Sequence, residues 1–107
     1  MTKEKILETI KQAETENGNE FDLTYDEQTD RLFDYLTQSL DLELSVELRE
    51  SITDSWLQCE YYSQNLGKAI IWQYDVGNFD DYEEVADFII RTEQKIKEFE
   101  ARLPKLR

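Results

Sequence analysis

Residues 45–76 read SVELRESITDSWLQCEYYSQNLGKAIIWQYDV, and the fold turns on whether they form one long helix or shorter pieces. Leu48, Ile52, Ser55, Cys59, Tyr62, Leu66 and Ala69 step alternately four and three residues, the spacing of a heptad-like seam. Ser45 is of the type that caps a helix N-terminus. The small residues Ser55, Cys59 and Ala69 would let a second helix approach closely, which marks this seam as a candidate homodimer contact. Gly67 gives two readings. Inside a helix it costs about 1 kcal/mol. As a helix C-cap it would leave 69–76 as a strand, paired with the alternating EFDLTY of 20–25. The seam crosses Gly67 without losing phase, which favours a helix running to about Tyr74.

On either side the pattern is also helical. Ile6, Leu7, Ile10 and Ala13 share one face of a segment from about Thr2 to Glu16, stopped by Asn17-Gly18. Thr24 with Glu27 resembles a capping box for a second helix, whose apolar face is Leu32, Phe33, Leu36 and Leu40. Gly77-Asn78 ends the central element. Asp80 with Glu83 then opens a last helix carrying Tyr82, Val85, Ile89, Thr92, Ile96, Phe99 and Leu103 on one side, up to Pro104. Its acids gather at the N-terminal end and Arg91, Lys95, Lys97 and Arg102 toward the C-terminal end, matching the helix dipole. The sequence therefore predicts an all-α fold, a small antiparallel bundle of about four helices forming a single domain over residues 1–107. The alternative is α+β with one two-stranded ribbon from 20–25 and 69–76.

Apolar residues make up 39% of the chain, but its aromatic residues supply large buried areas and argue against disorder. Net charge is −13 and uneven. Residues 14–88 carry twenty acids against Arg31, Arg49 and Lys68, while both ends are mildly basic. Such a body repels nucleic acid and anionic membranes, so a neutral or basic protein surface is the expected partner. No apolar run approaches the ~20 residues of a membrane span. A single cysteine, Cys59, forms no internal disulfide, and a cytoplasmic location is expected.

The chemistry narrows by exclusion. There is no histidine, which removes Ser-His-Asp and Cys-His nucleophilic sites and the zinc and di-iron His patterns. No Gly-rich phosphate loop is present. EF-hand frames starting at Asp75 or Glu16 place the wrong residues at the turn glycine. Cys59 reads as a small core residue. The expectation is a non-enzymatic protein with no cofactor and no metal.

What remains is carboxylates in rows. At helical spacing Asp26, Glu27, Asp30 and Asp34 form one row, Glu43, Glu47, Glu50 and Asp54 a second, and Asp80, Glu83, Glu84 and Asp87 a third. Like charges so placed repel by about 0.2–0.5 kcal/mol per pair, and few bases interleave to relieve them. Rows at 1.5 Å rise per residue roughly resemble the charge spacing of a nucleic-acid backbone. Tyr61 and Trp72 are the candidate aromatic anchors beside them. The expected function is inhibition of a basic, nucleic-acid-binding protein by carboxylates standing in for phosphates, as a phage or mobile-element anti-CRISPR or anti-restriction protein would act. An immunity or antitoxin-like protein neutralising a basic toxin, or a self-associating bundle subunit, are the alternatives.

Overall fold

The computed structural model describes residues 1–75 and 79–103. Its elements run α1 (Lys3–Asn17), α2 (Asp26–Ser39), β1 (Leu44–Glu50), β2 (Ser55–Ser63), β3 (Lys68–Asp75) and α3 (Tyr82–Arg102). The central stretch is thus not a helix but most of a three-stranded antiparallel meander, ordered β1-β2-β3. The fold is α+β, and the expected four-helix bundle is wrong.

The reason lies in which apolar residues need burial. Pairing aligns Leu44 with Tyr61, Val46 with Cys59 and Leu48 with Leu57. It continues with Leu57 opposite Tyr74, Cys59 opposite Trp72 and Tyr61 opposite Ile70. This period-two set turns to the helices, and Leu44, Val46, Leu57, Cys59 and Tyr61 are buried. The heptad-like seam mixes both faces of the sheet with its turns. Of its members, Ile52 is 103% exposed, Tyr62 61% and Leu66 38%. A helix along that seam would have given up Val46, Leu57 and Tyr61, each worth roughly 1.5–3 kcal/mol when buried. The expected homodimer contact through a helical seam disappears with the helix.

Two turns fix the strand register. Between β1 and β2, Ser51 N–H donates to the Asp54 carbonyl at 2.8 Å, and Ser51 Oγ accepts from Asp54 N–H at 3.1 Å. Between β2 and β3, Gly67 sits at φ +67° and donates to the Ser63 carbonyl at 2.8 Å. Residues 68–75 are a strand, as the alternative reading had it, but their partner is β2. Residues 20–25 form no strand. There Asp22 Oδ1 accepts from Thr24 N–H at 3.0 Å and from its hydroxyl at 2.6 Å, a local turn.

The helices are close to expectation. Thr2 caps α1, accepting from Lys5 N–H at 3.2 Å, and Gly18 ends it in the left-handed region. The start of α2 differs, because its N-cap is Tyr25, which makes no side-chain cap bond. In α3 the cap moves one residue on. Asp81 Oδ1 accepts from Glu84 N–H at 2.9 Å, and Glu84 Oε2 accepts from Asp80 N–H at 2.7 Å. The expected breaks at Gly77-Asn78 and Pro104 lie outside the described residues.

α2 packs on β1, and α1 packs on both α2 and α3. Phe33, Phe79 and Phe88 meet at centroid distances of 5.8 Å, and Phe88 meets Tyr74 of β3 edge-on at 5.2 Å. The helices cover one sheet face. The alternation leaves Glu47, Arg49, Trp56, Gln58, Glu60, Tyr62, Ile71 and Gln73 on the other. No helix among the described residues is long and apolar enough to cross a membrane.

Candidate acidic interface

The structure takes the three carboxylate rows apart and assembles something different from their pieces. The row on α2 survives as a helical row, but its members face different ways. Asp26 and Asp30 are half-buried against the sheet, while Glu27 and Asp34 are exposed. Asp30 Oδ1 accepts the Leu48 N–H of β1 at 3.1 Å, and so satisfies a backbone donor on the β1 edge. Asp26 Oδ2 accepts from the Ser55 hydroxyl of β2 at 3.4 Å. Asp34 accepts weakly from Gln38 Nε2 at 3.3 Å.

The second row was drawn on a helix that does not exist. In a strand, neighbours alternate faces. Glu47 goes to the open face of the sheet, where Arg49 Nη2 pairs with it at 3.2 Å. Asp54 lies in the β1–β2 turn. Glu43 precedes β1 and borders a cavity of about 520 Å³ with Tyr61, Tyr62 and Glu100. Glu50, at the end of β1, is carried toward α2.

There the row of α2 and one member of the second row converge. Glu50 holds its proton above the usual carboxylate range. The first cause is a hydrogen bond shared with the Asp26 carboxyl, reinforced by the negative charge of Asp26, Glu27 and Asp30. Four carboxyl groups from α2 and β1 thus crowd one end of the molecule. None of them is in an ion pair among the described residues, where the recorded pairs involve Lys3 and Arg49 only.

The third row is partly consumed. Lys3 of α1 reaches Asp87 at 3.3 Å and Glu83 at 3.9 Å, with all three side chains substantially exposed. Glu84 and Asp81 are spent on the α3 cap. Asp80 remains exposed and, with Asp81, joins Glu20 and Asp22 around a shallow cavity of about 390 Å³. Thr24 bonds hold Asp22 below its usual carboxylate range. Among the described residues no group of three or more Cys, Asp or Glu side chains is arranged to hold a metal ion.

The aromatic anchors also change places. Tyr61 is only 6% exposed and packs edge-on against Trp72 at 5.7 Å and Phe99 at 6.3 Å. Burial pushes its hydroxyl up, with the nearby Glu100 charge adding to the effect. Trp72 is half-buried on the helix-facing side of β3. The aromatics that reach solvent are Tyr25, at the start of α2, and Tyr62, on the open face beside Ile71, itself 55% exposed. The convergence of Glu50 on Asp26 and the exposure of Tyr62 both depend on strand pairing, and only a period-two reading of 44–75 could have found them.

Comparison with known proteins finds no matching family model, no matching curated protein and no matching solved structure.

Proposed function

We propose that the protein is a non-enzymatic acidic binding protein that blocks a basic, nucleic-acid-binding protein by offering carboxylates where phosphates would sit. The observation that supports this best is the group of Asp26, Glu27, Asp30 and Glu50, brought together by α2 and β1, whose like charges push the Glu50 carboxyl above its usual range. A surface serving solubility alone would intersperse bases to relieve such repulsion. Lysine or arginine side chains of a partner would relieve it on binding, through charge-assisted hydrogen bonds, and the net charge of −13 would steer the encounter. Nucleases of restriction and CRISPR systems are targets with the required basic groove.

The test is a pull-down of purified basic nucleases with competition by duplex DNA at moderate salt. A bound nuclease released by DNA, and no longer retained by an Asp26→Asn, Glu27→Gln, Glu50→Gln variant, is the expected result. Absence of any DNA-displaceable nuclease would end the proposal. Neutralising the α3 N-terminus is a poorer test, because Asp81 and Glu84 cap that helix.

A further inference from the structure

Among the described residues β3 is an edge strand of the sheet, pairing with β2 alone. β1, at the opposite edge, has α2 packed on it and one backbone donor satisfied by Asp30. Among the described residues β3 has no helix packed on it with comparable closeness. Its eight residues, KAIIWQYD, pair in unbroken register with β2, with no proline and no bulge. Natural edge strands of this length and apolarity are usually blunted by such devices. α3 approaches β3 through side chains rather than backbone. Phe88 and Lys95 both reach Tyr74 of β3, while Phe99 reaches Tyr61 of the neighbouring β2. A groove of about 380 Å³ is left between them, lined by Ile70, Trp72, Tyr74, Ile96 and Phe99, with Lys95 at its rim.

Charge indicates what fits there. Lys95 Nζ donates to the Tyr74 hydroxyl at 2.8 Å and lies 4.9 Å from the ring centroid. Neither Lys95 nor Lys68, which begins β3, has a carboxylate within ion-pair distance among the described residues. In a chain of net charge −13, cations that no described carboxylate pairs with, set beside an apolar groove, are complementary to an acidic and apolar ligand. We propose that β3 and this groove accept an extended segment of another protein, added as a fourth strand. Its alternate side chains would be a large apolar group, entering the groove, and a carboxylate, meeting Lys95. Main-chain hydrogen bonds along β3 would supply affinity, and the groove would select the side chain. This surface is separate from the carboxylate group at the α2 end and would recruit a partner of opposite charge character.

The experiment is selection of a phage-displayed random 12-residue peptide library on the purified protein, followed by amide NMR titration with the enriched peptides. Enriched sequences should pair an aromatic or aliphatic residue with Asp or Glu two positions away. They should shift Ile70, Trp72, Tyr74 and Lys95, and lose at least tenfold in affinity against Lys95→Glu. N-methylation of alternate peptide amides should abolish binding in one register and spare it in the other, a result that leaves the protein untouched. No enrichment, basic consensus peptides, shifts confined to the open sheet face, or indifference to N-methylation would each overturn the proposal. So would concentration-dependent dimerisation through β3, which would make a second copy the occupant.

Discussion

The Tyr82 hydroxyl and the Phe21 backbone bond to each other twice, across sixty-one positions of sequence. Tyr82 Oη accepts from Phe21 N–H at 2.8 Å and lies 3.3 Å from the Phe21 carbonyl, toward which it donates. The first turn of α3 thereby holds the irregular segment between α1 and α2, and Phe21 is buried as a result. Replacing Tyr82 by Phe keeps the ring but strands both Phe21 groups. A loss of about 1–3 kcal/mol is expected. Urea denaturation checks it, and unchanged stability would mean that water replaces the hydroxyl.

The crowding of Glu50 on Asp26 makes a pH prediction with an unusual sign. An unfolded glutamate titrates near 4.3, and in the folded protein Glu50 titrates higher. Between the two values the native state binds more protons than the unfolded one, so this group's contribution to stability falls as pH rises through that window. Glu50→Gln removes the charge and should raise Tm at pH 7. It should also flatten this part of the stability profile just above pH 4.3. Asp22 acts oppositely, since its lowered value makes its contribution disappear as pH falls below the ordinary aspartate range. Melts of the wild type and Glu50→Gln from about pH 2 to pH 8 separate the two, because the Asp22 loss falls below the ordinary aspartate value of about 3.9 and the Glu50 change above it. A lower Tm for Glu50→Gln at neutral pH would show that the carboxyl is needed as such.

The helices were legible because each carries its signal locally. Thr2 and Gly18 bracket α1, and the three-four spacing of Ile6, Ile10 and Ala13 lies between them. The sheet was hidden because the open face of β2 carries two large aromatics, at either end of Gln58 and Glu60. Trp56 and Tyr62 point one way while Leu57, Cys59 and Tyr61 point the other. Leu57, Cys59 and Tyr61 do alternate with Gln58 and Glu60, but a three-four pattern could also be threaded through Ser55, Cys59 and Tyr62. The candidate site inherited that error. Rows drawn at helical spacing survive on α2 and α3, where Lys3 and the α3 cap account for part of the second of these. The row that became a strand was dispersed, and its Glu50 was delivered to a neighbour far away in sequence.

Cys59 sits on the helix-facing side of β2, opposite Val46 and Trp72, and has no exposed surface. Burial pushes its thiol up to about 12. The thiolate that reacts with electrophiles is therefore absent at neutral pH. Modification by a thiol reagent should be negligible in the folded protein and complete in denaturant. Rapid labelling without denaturant would mean that the sheet opens locally. Cys59→Ser should cost about 1–3 kcal/mol, because a hydroxyl would be buried there without an assured partner.

Gly67 offers a measurement whose sign distinguishes the two folds that the sequence allowed. Were it inside a long helix, Gly67→Ala would stabilise the protein by about 1 kcal/mol through helix propensity. In the β2–β3 turn it lies at φ +67°, where an added Cβ meets no atom within 4 Å. Space is therefore not the obstacle, and backbone strain alone sets the cost, about 1–2 kcal/mol for alanine in the left-handed region. Asparagine tolerates that region better, so Gly67→Asn should lose less than Gly67→Ala. Chemical denaturation of the two variants reads the order directly. Stabilisation by alanine would contradict the hairpin, and with it the open β3 edge beside which the groove lies.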